Sequence, residues 1–111
     1  MEEITFEEFT QVEIRTGTIL EAILNPKAVK PAYEIKIDFG TLGIKTSSAQ
    51  ITKNYSPGNL IGLQITAVVN FPLKRIAGVN SEVLVLGAYS ENKEVVLLTP
   101  AESVEDGSLV G

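Results

Sequence analysis

Tyr33-Glu34-Ile35-Lys36-Ile37-Asp38-Phe39 alternates apolar and polar residues without a break, and Gly40-Thr41-Leu42-Gly43 separates it from Ile44-Lys45-Thr46-Ser47. Successive side chains of a strand point to opposite faces, so the alternation describes a strand with one face in a core and one in water. The glycine-flanked tetrapeptide is short enough to turn the chain back, which predicts a hairpin with the segment beginning at Ile44. Lys36 and Lys45 are expected to share its wet face.

Working upstream, Val12, Ile14, Thr16 and Thr18 alternate with Glu13, Arg15, Gly17 and Ile19, and Leu20-Glu21-Ala22-Ile23-Leu24 continues the run. This predicts a long strand with a bend or bulge at Gly17. Asn25-Pro26-Lys27-Ala28-Val29-Lys30-Pro31 ends it, because each proline lacks an N–H and restricts its predecessor. Before it, Thr5 and Glu8 have the capping-box spacing, which predicts a short helix from Thr5 to Thr10. Phe6 and Phe9 give that helix one apolar side, to pack on the domain or on a second subunit.

Downstream, Ser48–Tyr55 has mixed propensity and is ended by Ser56-Pro57-Gly58-Asn59, so a helical turn or two is expected there. Gln64–Asn70 is rich in β-branched residues and reads as a strand. Val83–Tyr89 reads as a buried strand, Ser90–Lys93 as a polar turn and Glu94–Thr99 as the last strand, stopped by Pro100. Five or six strands, a short N-terminal helix and a short helix between strands 3 and 4 predict an all-β fold. A small antiparallel barrel of the oligonucleotide/oligosaccharide-binding (OB) kind suits them, as one domain over residues 1–111, with a flat sandwich as the alternative.

Composition narrows the chemistry. The chain has no cysteine and no histidine. Disulfides, thiolate nucleophiles, a histidine base and the usual zinc ligands are therefore unavailable, and no catalytic residue, metal or cofactor is expected. No apolar run reaches membrane-spanning length and the acidic start does not read as a signal peptide, so a cytoplasmic protein without membrane insertion is expected. The net charge of −5 disfavours a polyanion partner, but half of the 14 acids lie at the termini, as Glu2, Glu3, Glu7, Glu8, Glu102, Glu105 and Asp106. Between Phe9 and Ala101 the nine basic residues outnumber the seven acidic ones. A basic face on the central body thus remains compatible with the total.

One connection is neither plain nor polar. Asn70-Phe71-Pro72-Leu73-Lys74-Arg75-Ile76-Ala77-Gly78-Val79-Asn80-Ser81-Glu82 carries apolar residues beside the only adjacent basic pair in the chain. Loops run over surfaces, so Phe71, Leu73 and Ile76 either tuck beneath it or form a binding surface. As a surface for polypeptide they offer apolar contact while Lys74 and Arg75 steer charged segments. As a surface for nucleic acid, Arg15, Lys36, Lys45, Lys53, Lys74 and Arg75 meet phosphates on one face, with Asn70 and Ser81 as polar contacts. Ser81 could instead be a turn hydroxyl bonded to backbone. Ile4, Phe6, Phe9, Leu109 and Val110 are left over near the termini and are expected at a two-fold interface.

Several segments together resemble one family: Val12–Ile19, Lys30-Pro31-Ala32-Tyr33, Ile37–Gly40, Ser47–Thr52, Ala67–Pro72 and Ser81–Gly87. They are similar to the bacterial CsaA-type secretion chaperones, within the wider tRNA-binding-domain family that includes the C-terminal domain of methionyl-tRNA synthetase. The resemblance implies an OB barrel, a homodimer, and binding of unfolded or presecretory polypeptide, of tRNA, or of both. The tRNA-binding relatives have a basic segment that Asn70, Lys74, Arg75, Gly78, Val79 and Ser81 match. Pro72 and Ala77 stand where that pattern is basic. The exchange of charge for apolar character points to the chaperone branch, which makes polypeptide the first expectation and tRNA the alternative.

Overall fold

A computed structural model describes residues 1–111. The chain forms α1 (Phe6–Thr10), β1 (Ile14–Leu24), β2 (Tyr33–Asp38), β3 (Ile44–Ala49), α2 (Pro57–Leu60), β4 (Gln64–Val68), β5 (Lys74–Ile76), β6 (Val79–Ser81), β7 (Leu84–Val85), β8 (Gly87–Tyr89), β9 (Val95–Leu97) and β10 (Leu109–Val110). The main sheet is antiparallel in the order β3-β2-β1-β4-β7, with β10 also on β1, while β5–β6 and β8–β9 are separate hairpins. Beyond β6 the chain returns to the outer edge of β3. There Glu82 N–H donates to Thr46 O at 2.8 Å, and Thr46 N–H donates to Glu82 Oε2 at 2.8 Å. Ser47 Oγ adds a bond to Val83 O at 3.0 Å. The sheet thereby nearly closes into a barrel, the all-β OB architecture expected, with one helix at the N-terminal end and one between β3 and β4.

The alternation in β2 is realised as core against water. Tyr33, Ile35, Ile37 and Phe39 are buried and pack with Ile19, Leu60 and Ile65 in one cluster. Ser47, opposite Ile35 in the register, is buried as well, and its bond to Val83 O satisfies its hydroxyl. A short 3-10 turn over Gly40–Leu42 closes the expected hairpin. The two lysines do not share a face, however. Lys36 stands opposite Thr46 and Lys45 opposite Ile37, and directly paired residues lie on the same side, so one-residue alternation puts the lysines on opposite sides.

Three local expectations are corrected. The bulge in β1 lies between Ile19 and Glu21, not at Gly17, which pairs in register with Ile65. A Cβ at Gly17 would come within 2.6 Å of Ile37 Cγ2 and 2.8 Å of the Phe39 ring, so the glycine makes room for core side chains. The helix between β3 and β4 begins where the expected one was to end, since β3 continues to Ala49 and Pro57 starts α2. A proline in the first turn suits a helix because that N–H has no intrahelical partner. The strand expected over Val83–Tyr89 is two strands: β7 pairs with β4, whereas β8 pairs with β9. Leu86 is the junction, its N–H donating to Thr66 O and its carbonyl accepting from Leu98 N–H.

Both ends are tied to the strands by hydrogen bonds. Thr5 and Glu8 form the capping box, each side chain accepting from the other's backbone N–H at 3.1 Å. Yet α1 buries no residue: Phe6 is 78% exposed, and Phe9 keeps 36% of its surface exposed. A helix this short is held instead through the backbone that follows it. The acidic C-terminal stretch folds back on β1. Asp106 accepts from Thr18 Oγ1 at 2.7 Å and from Gln64 Nε2 at 3.0 Å, and Thr16 Oγ1 donates to Glu105 O at 3.0 Å. β10 then pairs with Ile14 and Arg15.

Candidate functional site

The stretch from Asn70 to Glu82 folds as a hairpin with anchored ends. Ile76 pairs with Val79 across a two-residue turn, in which Ala77 has φ 47° and Gly78 φ 84°. Positive φ at both central residues defines the type I′ turn, whose twist matches that of paired strands. The turn is tied down by Asn25 Nδ2, which donates to Ala77 O at 3.1 Å, and Val79 is buried beneath it. The pattern X-Gly between Lys74-Arg75-Ile76 and Val79-Asn80-Ser81 is the signal for this hairpin; the mixed composition of its strands conceals it.

Beside the hairpin lies a groove of about 460 Å³, lined by Phe71, Leu73, Ile76 and Leu84 with Lys74 and Glu82 at its sides. Phe71 and Leu73 keep 53% and 57% of their surface exposed and Leu84 keeps 50%, while Ile76 is half-buried. Apolar side chains gathered in a concave, open surface favour a partner that removes them from water. Leu84 was not anticipated, because alternation with buried Val83 turns it outward from a segment that reads as continuously apolar.

The polar residues expected at the site divide by attachment. Asn70 Nδ2 donates to Gln11 O at 2.7 Å, and its Oδ1 accepts from Glu13 N–H at 3.0 Å, clamping the α1–β1 connection. Ser81 Oγ accepts from Ser48 N–H at 3.2 Å and so helps close the barrel on β3. Arg15 pairs with Glu13 at 3.1 Å and donates to Gly107 O at 3.0 Å. Lys36 faces Glu21 at 3.7 Å with both side chains about half exposed, a pairing that contributes little. Lys74 and Arg75 remain exposed on β5, Arg75 donating to Asn80 Oδ1 at 2.9 Å. Lys45 lines a small cleft with Glu13, Phe39 and Asn70, whereas Lys53 lines another with Lys30 and Lys93. The basic residues thus occupy separate clefts instead of one track.

Near the termini, Ile4, Phe6 and Leu109 are 64–78% exposed, Phe9 is 36% exposed and Val110 is half-buried. No helix is long and apolar enough to cross a membrane.

A family model described as "putative tRNA binding domain" matches residues 14–109. The methionine–tRNA ligase of Porphyromonas gingivalis is 38% identical over 109 residues, 98% of this chain and 16% of that protein. That of Pyrococcus furiosus is 34% identical over 110 residues, 99% of this chain and 15% of that protein. The chain therefore spans about a sixth of the length of these curated relatives. Among solved structures, chaperone CsaA from Bacillus anthracis has a TM-score of 0.94 at 50% identity, covering 99% of this chain and 100% of that one. CsaA chaperone protein from Picrophilus torridus gives 0.92 at 49% identity, over 98% and 100%. The MetRS-related protein from Pyrococcus horikoshii gives 0.89 at 28% identity over all of both chains.

Proposed function

The chain belongs to the putative tRNA binding domain family, and from that premise we propose that it is a single-domain, export-related chaperone that binds non-native or presecretory polypeptide. Its groove carries the reading. Phe71, Leu73, Ile76 and Leu84 form an apolar surface that the fold leaves open, with Lys74 and Arg75 available to steer charged segments toward it. The likeness to CsaA chaperones over the full length of those chains supports it. It acts in the cytoplasm, where presecretory chains are still unfolded, and is not an enzyme.

The direct test is suppression of aggregation of a denatured model substrate by the chain and by Phe71→Ser/Leu73→Ser. The expected outcome is loss of suppression at unchanged secondary structure; a variant as active as the parent rejects the reading.

A second reading, tRNA binding, is favoured by the family match and by the methionine–tRNA ligase relatives. Lys74, Arg75, Lys45 and Lys53 are its cations outside any ion pair, and Lys36, half exposed, faces Glu21. Arg15, Asn70 and Ser81 would first have to leave internal partners. A gel shift with tRNA at low salt, compared between the parent and Lys74→Glu, tests it: binding that is absent or indifferent to the charge reversal removes it.

The chain acts as a homodimer in this proposal. The exposed apolar surface of Ile4, Phe6, Phe9 and Leu109, with half-buried Val110, supports it, and Leu109 and Val110 pair with Arg15 and Ile14 at the start of the strand that follows α1. Light scattering is expected to give twice the chain mass at micromolar concentration.

A further inference from the structure

The apolar groove continues past Leu84. Ser48 and Leu84 also line the next cleft, of about 390 Å³, which follows β3 toward Leu86 and Tyr89. That cleft shares Gln50, Ile51, Lys93 and Val95 with a third, of about 400 Å³, where Lys30 and Lys53 stand. The three form one trough that runs from the β5–β6 hairpin past Ser48, where Ser81 and Glu82 close the edge of β3, toward Gln50 and Ile51. One end is apolar, beneath Phe71 and Leu73. The other holds three lysines against a single carboxylate, Glu94.

Two observations mark the lysine end. The chain's ion pairs are Arg15–Glu13 and Lys36–Glu21, so Lys30, Lys53 and Lys93 have no anionic partner. Lys93 also has φ 60°, in the left-handed region. Its N–H donates to Ser90 O at 2.8 Å, and Ser90 N–H donates to Glu94 O at 2.8 Å, so it occupies the bulge position of a short hairpin loop. Glycine fits that position best, and a side chain there is conformationally unfavourable. Such a residue held against its preference is a reason to look for a role in its side chain.

We propose that the lysine end is a carboxylate-binding subsite, which receives an acidic flank of a polypeptide whose apolar residues occupy the groove. This inference rests on the polypeptide reading above and specifies which polypeptides are favoured. Charge complementarity identifies the flank: three unpaired ammonium groups suit aspartate and glutamate side chains. The path between the ends identifies the polymer. Its walls are Leu84, Val85, Leu86 and Leu97, with Tyr89 as its one strongly exposed aromatic ring, 80% exposed. A single-stranded nucleic acid requires stacking platforms and an unbroken basic track, which an alkyl-walled passage between separated lysines does not supply. An extended peptide can instead lie along the trough and place alternate side chains in its pockets.

The test is fluorescence anisotropy with two labelled peptides of equal length. Both carry the same Leu/Phe-rich segment; one continues in Asp/Glu residues and the other in Ser/Gly residues. On the parent chain the acidic peptide is expected to bind about fivefold tighter at low salt, the advantage shrinking toward about 0.15 M salt, where screening acts within about 8 Å. In Lys53→Gln/Lys93→Gly the advantage disappears while the neutral peptide keeps its affinity. Lys93→Gly installs the residue that this backbone favours, and thermal unfolding of the variant is expected at or above the parent's temperature. Equal affinity of the two peptides for the parent overturns the subsite and leaves the groove standing. Binding of neither peptide overturns the groove and the subsite together. If the variant still prefers the acidic peptide but loses tRNA in a gel shift, the lysines serve phosphate and the inference is wrong.

Discussion

The β2–β3 and β5–β6 hairpins share antiparallel pairing and a tight turn, yet they stand in opposite relations to water. β2 buries Tyr33, Ile35 and Ile37 in alternation, and Phe39 follows them into the core. β5–β6 buries only Val79, and the segment leading into it leaves Phe71 and Leu73 exposed. The difference lies in what each hairpin faces. β2 has β1 and β3 on its two edges and the barrel interior beneath it, whereas β5–β6 belongs to no larger sheet. An apolar strand face needs a second layer to become core; without one, the same residue types remain a surface for a partner.

The contrast is tested first at its two aromatic residues. Phe39 is fully buried, so Phe39→Ala is expected to lower unfolding stability by about 3–5 kcal/mol, the transfer loss plus the cavity left behind. Phe71→Ala is expected to cost less than about 1 kcal/mol, as other surface truncations do. Urea unfolding of the two variants reads both numbers. Losses of similar size would mean that Phe71 is structurally buried in solution, and the groove would be lost as a binding surface.

That division explains how much was legible in the residues. Alternation in Tyr33–Phe39 places each side chain because burial on one face imposes a period of two, and the hairpin into β3 follows from the glycines after it. Gly17 shows the limit. A glycine within an apolar run is compatible with a bulge or with close packing, and only the position of Phe39 across the sheet decides between them. Asn70 and Ser81 show a related limit. Their chemistry suits nucleic acid, but their partners Gln11, Glu13 and Ser48 are remote in sequence and are supplied by barrel closure. The apolar groove was legible in part through Phe71, Leu73 and Ile76, which no facing layer claims. Leu84 and the lysine cleft were not, because they come from segments that meet only when β3 approaches β7 and the β8–β9 loop.

Asn70 offers the second test, within the same stretch. Asn70→Ala removes both bonds of the clamp on Gln11 and Glu13, and because the site is exposed, water takes over part of the loss. A decrease of about 1 kcal/mol is expected, with faster amide exchange at Glu13 as the local signature. Lys74→Ala, on the neighbouring free part of the stretch, should leave stability unchanged within about 0.5 kcal/mol. An Asn70→Ala variant with parental stability and parental exchange at Glu13 would show the clamp to be idle, and would return Asn70 to the ligand-binding residues.

The smallest effect concerns the turn that presents the groove. Ala77 holds φ 47°, a conformation that disfavours an L-residue by about 1–2 kcal/mol. Glycine removes that penalty but enlarges the conformational freedom of the unfolded chain, which offsets about 0.4–1 kcal/mol of the gain. Ala77→Gly is therefore expected to stabilise the fold by about 0.5 kcal/mol, seen as a rise of roughly 2–4 °C in melting temperature. The reverse change next to it, Gly78→Ala, introduces strain at φ 84° and should lower the melting temperature. If β5–β6 were held by its surroundings as firmly as β2–β3 is, both shifts would appear in full. If its three paired positions instead open independently of the barrel, global melting will register neither change, and amide exchange confined to Lys74–Ser81 will register both.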